Sequence, residues 1–271
     1  MKEIYGHDAY SPDQIAERVE GVGVAKAGLP ILKMGALAVL AGGFIGLGAM
    51  FYTIVVADPH LGFALQRVLG GVVFSLGLIL VVLAGAELFT GNNLMVMSWV
   101  SCRISTKLLL RNLGIVYLGN AVGGAGLAWL VAQSGHGELG GGKVESAAVA
   151  IAAGKVSMGF AEAFYKGVLC NVLVCLAVWL AMAGRSVTDK ILAVVFPVAA
   201  FVAAGFEHCV ANMYFVPLGI FLAGESAPEG LTWGAFLANN LLPVTLGNVV
   251  GGAGLVGLVY HVIYHRKGTS P

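Results

Sequence analysis

Charge is scarce in this chain of 271 residues: only 11% of its side chains are charged, whereas 58% are hydrophobic. A water-soluble domain typically carries about twice that share of charge, so the composition argues against a cytosolic enzyme. Fifteen basic residues balance fourteen acidic ones, and no basic block is longer than two residues. We therefore expect no nucleic-acid partner and an integral membrane protein.

Several functional motifs are also missing. The four cysteines form neither a Cys-x-x-Cys pair nor a cluster with histidine, so no metal or redox site is indicated. A phosphate-binding loop, a Gly-x-Ser-x-Gly elbow and a His-Glu-x-x-His motif are absent as well. We expect a protein that is not an enzyme and needs no cofactor. Charged residues interrupt positions 1–25, so no cleavable signal peptide is predicted.

Glycine and long apolar runs, by contrast, are abundant. Forty glycines lie mostly inside apolar sequence, where they allow membrane helices to pack closely. A bilayer helix needs about 20 apolar residues, and the long runs are 30–57, 68–101, 108–133, 157–183, 190–223 and 234–264. The second and fifth runs are too long for one helix and have polar centres, at Gly85–Asn93 and Gly205–Asn212. They predict helices broken inside the membrane, where protein or water satisfies the freed backbone groups.

Basic residues are distributed unevenly between the loops. If the N-terminus is cytoplasmic, six spans place these on the same side: Arg103, Lys107, Arg111, Arg185, Lys190, Arg266 and Lys267. The positive-inside rule therefore predicts cytoplasmic N- and C-termini in the inner membrane. Before the first span, the sequence from Ser11 to Gln14 has a capping-box pattern, which predicts an amphipathic surface helix. A simple anchor is favoured over a gating element for this helix.

An internal repeat divides the chain. The segment Leu118–Leu127 recurs as Leu246–Leu255 with a single substitution, and a Gly-x-Glu-x-x-x-x-Asn pattern marks the centre of both long runs. Three spans per copy is an odd number, so the second copy must insert upside down, and the two breaks meet near mid-bilayer. The predicted organisation is an N-terminal helix at 1–29, a first repeat at 30–134, an external connection at 135–156, a second repeat at 157–265 and a tail at 266–271.

Four segments resemble motifs of the formate/nitrite transporter family. They are Ala86–Gly91, Lys166–Ala177, Gly205–Met213 and Pro243–Asn248, and the resemblance extends over nearly the whole chain. It implies an all-α, six-helix, aquaporin-like protomer that assembles as a homopentamer with one pore per protomer. It also implies small monovalent anions as substrates, namely formate, nitrite, hydrosulfide or lactate, with formate favoured and nitrite second.

The resemblance also implies which residues line the pore. The family's central histidine falls on His208, its break-loop threonine on Thr90, its vestibule lysine on Lys155 and its asparagine of the fourth span on Asn171. Its apolar constrictions fall on Leu78 and Phe201, with these residues nearby: Phe74, Leu88, Phe89 and Val174.

The charged and polar residues of the expected pore differ in what they could do to an anion. An apolar constriction should block a bare anion, because the ion would lose its hydration. His208 could donate a hydrogen bond, or a proton that turns formate into neutral formic acid. Lys155 would attract anions, or would simply extend to the headgroups. Lys166 is expected to contact a neighbouring helix or protomer rather than the pore.

The remaining polar residues are expected to be chiefly structural. Glu87 and Glu207 stand beside the two breaks, where backbone N–H groups need acceptors. Asn120 and Asn248 are repeat equivalents that should tie helices together or meet the break loops. Thr90 and Asn171 offer neutral donors to an anion, and Thr90 could also gate if its loop is mobile.

Three other functions remain as alternatives. A neutral-solute channel usually has paired Asn-Pro-Ala motifs, and this sequence contains no Asn-Pro dipeptide. A haem-binding membrane subunit needs facing histidines in the bilayer, and His208 has no such partner in the sequence pattern. An ATP-driven pump needs a phosphate-binding loop. The pore residues do not separate formate from nitrite, or from hydrosulfide in a hydrosulfide channel of the same family.

Overall fold

The computed structural model describes residues 9–264, and within that range it contains helices and no strands. The predicted tail at 266–271 and the first eight residues of the predicted N-terminal segment lie outside the described part. The helices are α1 (Pro12–Ala27), α2 (Ile31–Val56), α3 (Phe63–Gly85), α4 (89–100), α5 (Thr106–Gln133), α6 (Leu139–Val156), α7 (Phe160–Ala183), α8 (Val187–Ala204), α9 (Cys209–Ala223) and α10 (Trp233–Tyr264).

Seven stretches within residues 9–264 are long and apolar enough to cross a bilayer. They comprise α2, α3, α5, α7, α8, α9 with its short extension to Ser226, and α10. Many of their large apolar side chains are exposed, such as Leu118 on α5 and Phe196 on α8. These exposed surfaces suit contact with lipid or with other membrane helices.

Helical backbone is interrupted at both of the polar segments that the sequence singles out. The helix α3 ends at Gly85, Ala86 and Leu88 are extended, and α4 begins at Phe89. The helix α8 ends at Ala204, Gly205 adopts a left-handed conformation (φ 74°), and α9 begins after an extended His208. Glycine is the residue that adopts such a conformation without steric cost.

Repeated glycines let the helices approach closely. A Cβ atom at Gly123 would collide with the carbonyl oxygen of Val39, where α5 crosses α2. Its repeat equivalent Gly251 lies in the same way against the carbonyl of Val168, where α10 crosses α7. The two copies of the recurring segment therefore form equivalent close helix crossings, which small residues in membrane helices allow.

Besides the short α4, the helices α1 and α6 lie outside the set of candidate spans. A capping box starts α1, because Ser11 N–H donates to Gln14 Oε1 at 2.9 Å and Gln14 N–H donates to Ser11 Oγ at 3.4 Å. The sequence predicts only a connection at 135–156, whereas the structure has α6 there, interrupted near its start by three glycines with positive φ at 140–142. Its buried face consists of small residues at four-residue spacing: Val144, Ala148, Ala152 and Val156.

Candidate functional site

The first interruption is held by one asparagine from α5. The N–H of Phe89, which no longer has a helical acceptor, donates to Asn120 Oδ1 at 2.9 Å. The amide nitrogen of Asn120 donates to the carbonyl oxygens of Glu87 at 2.9 Å and Ala38 at 2.8 Å. Asn120 is fully buried, so these bonds compensate backbone groups that water does not reach.

The second interruption has the same hydrogen bonds. The N–H of Cys209 donates to Asn248 Oδ1 at 2.9 Å, and the Asn248 amide donates to the carbonyls of Glu207 at 3.0 Å and Gly167 at 2.7 Å. Asn120 and Asn248 thus both join neighbouring helices and meet the interruptions. From the sequence, Glu87 and Glu207 are expected to supply acceptors for these backbone N–H groups, but the N–H groups of Phe89 and Cys209 donate to asparagine oxygens instead.

The two glutamates instead accept from side chains. Glu87 accepts from Lys26 Nζ at 2.8 Å and from Asn92 Nδ2 at 2.7 Å. Glu207 accepts from Lys155 Nζ at 2.9 and 3.0 Å and from Asn212 Nδ2 at 2.7 Å. Each carboxylate is therefore a buried, paired charge that links a short helix to the start of a resumed helix.

A further asparagine completes each cluster. Asn112 Oδ1 accepts from Asn92 Nδ2 at 2.8 Å, and Asn240 Oδ1 accepts from Asn212 Nδ2 at 2.7 Å. Lys26, Asn112 and Asn240 are not among the residues predicted from the sequence, although Lys26 and Lys155 are each the last residue but one of their helices, α1 and α6. The repeat offset of 128 relates Asn112 to Asn240, so it could have found this pair, whereas the two lysines are 129 positions apart.

His208 and Thr90 form a buried pair between the two interruptions. Thr90 Oγ1 lies 2.9 Å from His208 Nε2, and both side chains are almost inaccessible. His208 Nδ1 accepts the N–H of Ala211 at 3.0 Å and so caps the start of α9. Because Nδ1 is an acceptor, the ring is a neutral tautomer whose Nε2–H donates to Thr90.

Three donors fix the backbone of Thr90. Its carbonyl oxygen accepts from Asn93 Nδ2 at 3.2 Å, Asn171 Nδ2 at 3.3 Å and Cys175 Sγ at 3.5 Å. Thr90 therefore lies in the anchored first turn of α4, and not in the mobile loop that gating would need. Asn171 also donates to the carbonyl of Asn248 at 2.7 Å, so its side-chain nitrogen already has two backbone acceptors.

Two cavities lie near this pair, and they share no lining residue: His208 borders the second, Thr90 borders neither, and Leu88 and Gly91 from the same segment as Thr90 border the first. One, of about 460 Å³, is lined by Leu78 and Leu88 together with the Lys26–Glu87 pair. The other, of about 470 Å³, is lined by Phe74, Phe201 and His208 together with the Lys155–Glu207 pair. Phe74 and Leu78 are one helical turn apart on α3, so the cavities lie at successive levels of the same helix.

Aromatic rings pack beside the imidazole. Phe201 stacks on His208 at 6.0 Å between ring centroids, and Phe74 meets Phe201 edge to face at 5.8 Å. Phe89 and Val174 are buried and border neither cavity. His208 therefore lies beside aromatic side chains at the edge of the second cavity, and both cavities have charged residues in their lining.

The polar pair is asymmetric with respect to the repeat. At the offset that relates Glu87 to Glu207, His208 corresponds to Leu88 and Thr90 corresponds to Val210. Each half therefore supplies one polar and one apolar residue to the centre. The remaining predicted residue, Lys166, pairs with Glu162 at 2.6 Å within α7 and borders the second cavity.

Comparisons with known proteins agree on one family. A family model described as "Formate/nitrite transporter" matches residues 13–262. "Formate channel FocA" of Escherichia coli (strain K12) is 42% identical and covers 98% of this chain and 99% of its own. "Uncharacterized transporter YrhG" of Bacillus subtilis (strain 168) is 43% identical, covering 96% of this chain and 95% of its own.

Solved structures show the same fold. One described as "Pentameric formate channel with formate bound" has 42% identity and a TM-score of 0.80, covering 87% of this chain and 98% of its own. One described as "FNT family ion channel" has 31% identity and a TM-score of 0.84, with coverages of 92% and 98%.

Proposed function

The chain belongs to the formate/nitrite transporter family, and from this premise we propose that it conducts small monovalent weak-acid anions across a membrane, formate first and nitrite second. The observation that carries the proposal is the buried Thr90–His208 pair: His208 borders one cavity with charged lining residues, and Leu88 and Gly91, beside Thr90 in the chain, border the other. It offers hydrogen-bonding groups beside the aromatic side chains of Phe74 and Phe201. A formate channel among the relatives and a formate-bound structure among the neighbours support formate as substrate.

The proposed arrangement in the membrane has six crossings. In it, α3 with α4 forms one broken crossing, and α8 with α9 forms the other, so that the seven candidate helices and α4 make two inverted repeats at 30–134 and 157–265. The matched hydrogen bonds of Asn120 and Asn248 support this assignment. The distribution of basic residues supports cytoplasmic termini in the inner membrane.

We also propose that the chain assembles as a homopentamer with one pore in each protomer. A solved relative with 42% identity is described as pentameric. The exposed apolar surface of the helices suits both lipid and neighbouring protomers. The pore would then run inside each protomer, through Leu78, Leu88, Phe74 and Phe201, and not along the axis of the assembly.

In this mechanism the anion exchanges hydration for hydrogen bonds at the centre. His208 Nε2–H and the Thr90 hydroxyl, which bond to each other without substrate, would both donate to the carboxylate of formate. The neutral ring cannot pass on its only N–H proton without becoming an anion. Protonation of formate therefore requires His208 to gain a second proton, which in turn requires the Ala211 N–H···Nδ1 bond to open.

Flux measurements in proteoliposomes test this function. Wild-type protein should accelerate formate uptake with a pH-dependent rate, relative to protein-free vesicles. In His208→Asn, the asparagine oxygen keeps an acceptor for the Ala211 N–H but cannot titrate, so slower flux without pH dependence is expected. An unchanged pH profile would refute the protonation role.

The same vesicles separate the alternatives. Nitrite and hydrosulfide uptake, measured beside formate uptake, ranks the anions of this family. Osmotic swelling in water alone, faster than in protein-free vesicles and without anion flux, would replace anion conduction with a neutral-solute channel.

A further inference from the structure

Charged side chains border both cavities, but most of them are paired. The cavity that His208 borders has three cationic residues, Arg67, Lys155 and Lys166, and one carboxylate, Glu207. Lys155 is paired with Glu207 and Lys166 with Glu162. Among residues 9–264, Arg67 has no carboxylate partner, so its charge is the uncompensated one at this cavity.

The guanidinium of Arg67 is held in place by the end of α8. Its Nε donates to the carbonyl of Ala203 at 2.8 Å and its Nη2 to the carbonyl of Val202 at 3.0 Å. A Cβ atom at residue 205 would lie 2.7 Å from Nη2, so a side chain there would displace the guanidinium from this position. The group is therefore a fixed charge at the point where the chain leaves α8 toward His208.

The sign of the field at this point depends on Arg67. The C-terminal end of a helix carries about half a negative charge, which would repel an anion from the approach to His208. The single positive charge of the Arg67 guanidinium, bonded to the last carbonyls of α8, exceeds this partial negative charge and so makes the net local charge positive. In the other cavity, Lys33 and Lys190 are the cations without a carboxylate partner within the described range, so each cavity has its own excess of positive charge.

We propose that Arg67 recruits the substrate anion to the cavity in front of His208, as a positioning residue that acts through its charge before His208 is reached. This inference rests on the proposed function, because it assigns the attraction of the anion to a particular residue. Lys155, by contrast, is paired with Glu207 at 2.9 Å, so its charge is compensated locally.

The size of the effect follows from Coulomb's law. A unit charge about 7 Å from an anion in a water-like medium raises the local anion concentration roughly threefold. Because the Debye length falls from about 30 Å at 0.01 M salt to 3 Å at 1 M salt, the effect should disappear at high salt. The half-saturating formate concentration should change, whereas the maximal rate should not.

The test compares initial rates of formate uptake into proteoliposomes at low and high salt. Arg67→Gln keeps a donor for the α8 carbonyls and removes the charge, so about threefold slower uptake is expected at subsaturating formate in low salt. The rates should converge with wild type at high salt. Arg67→Lys keeps the charge and should retain most of the salt dependence. Lys143→Met removes an exposed charge about 18 Å along α6 from Lys155 and should behave as wild type.

Several results would overturn the inference. Equal slowing of Arg67→Gln at both salt concentrations, or equal slowing in Arg67→Lys, would mean that Arg67 only caps α8. A wild-type half-saturation that does not depend on salt would overturn it without any variant, which covers the case of an Arg67→Gln protein that does not fold. Wild-type vesicles without formate uptake would instead refute the proposed function itself.

Discussion

Replacing Lys155 by methionine should destabilise the protein, because it leaves the carboxylate of Glu207 buried without its cation. The side chains of the pair are only 14% and 7% exposed, and Lys155 Nζ lies within 3.0 Å of both carboxylate oxygens. Removing one partner of a buried ion pair typically costs about 3–5 kcal/mol, and the partial exposure of Lys155 favours the lower value. At about 2–4 °C per kcal/mol, the midpoint of thermal unfolding should fall by about 6–12 °C.

The assay is the thermal unfolding midpoint of the purified protein in detergent, compared with that of Lys155→Met/Glu207→Gln. In the double variant a glutamine oxygen can still accept from Asn212 and Asn240, and no buried charge remains, so most of the lost stability should return. Lys155→Met with wild-type stability, or a double variant no more stable than the single one, would refute the reasoning. Loss of formate uptake at low salt alone, with full stability, would instead support an attracting role for Lys155.

Two further predictions address the helix crossing and the central pair. Gly251→Ala should lower the midpoint of thermal unfolding by several degrees, because the new Cβ would collide with the carbonyl of Val168. Gly254→Ala is the control, because its Cβ meets open space and the midpoint should not change. Equal midpoints for the two variants would contradict the close helix crossing at Gly251. Thr90→Val should slow formate uptake several-fold, because it removes the hydroxyl beside His208, whereas Thr90→Ser keeps the hydroxyl and should retain the uptake rate. Equally slow uptake by both variants would argue against a role of the hydroxyl in conduction.

Local sequence predicts much of the helical arrangement, because membrane helices need long apolar runs. The run at 108–133 corresponds to α5 (Thr106–Gln133), and the last run at 234–264 corresponds to α10 (Trp233–Tyr264). The polar centres of the two longest runs coincide with the interruptions after Gly85 and Ala204, where a glycine has positive φ. The family resemblance, read from short motifs, is confirmed by the family model.

Contacts between distant residues are not readable in the same way. Lys26 binds Glu87, a residue 61 positions later, and no local pattern marks it as a buried cation. The anchoring of Thr90 depends on Asn171 and Cys175 from α7, so a loop that looks mobile in the sequence is fixed by another helix. For α6, small residues such as Ala148 and Ala152 carry the buried face, and they give a weak hydropathy signal.

Leu88 and His208 occupy equivalent positions in the two helix interruptions, each of which is held by the same hydrogen bonds from an asparagine. For protein engineering, this makes the backbone arrangement and its chemistry separable. A reciprocal exchange, with histidine at 88 and leucine at 208, would move the imidazole to the first interruption. The hydrogen bonds of Asn120 and Asn248 to the two interruptions would remain. The internal repeat thus provides two equivalent backbone positions, and this chain has a histidine at one of them.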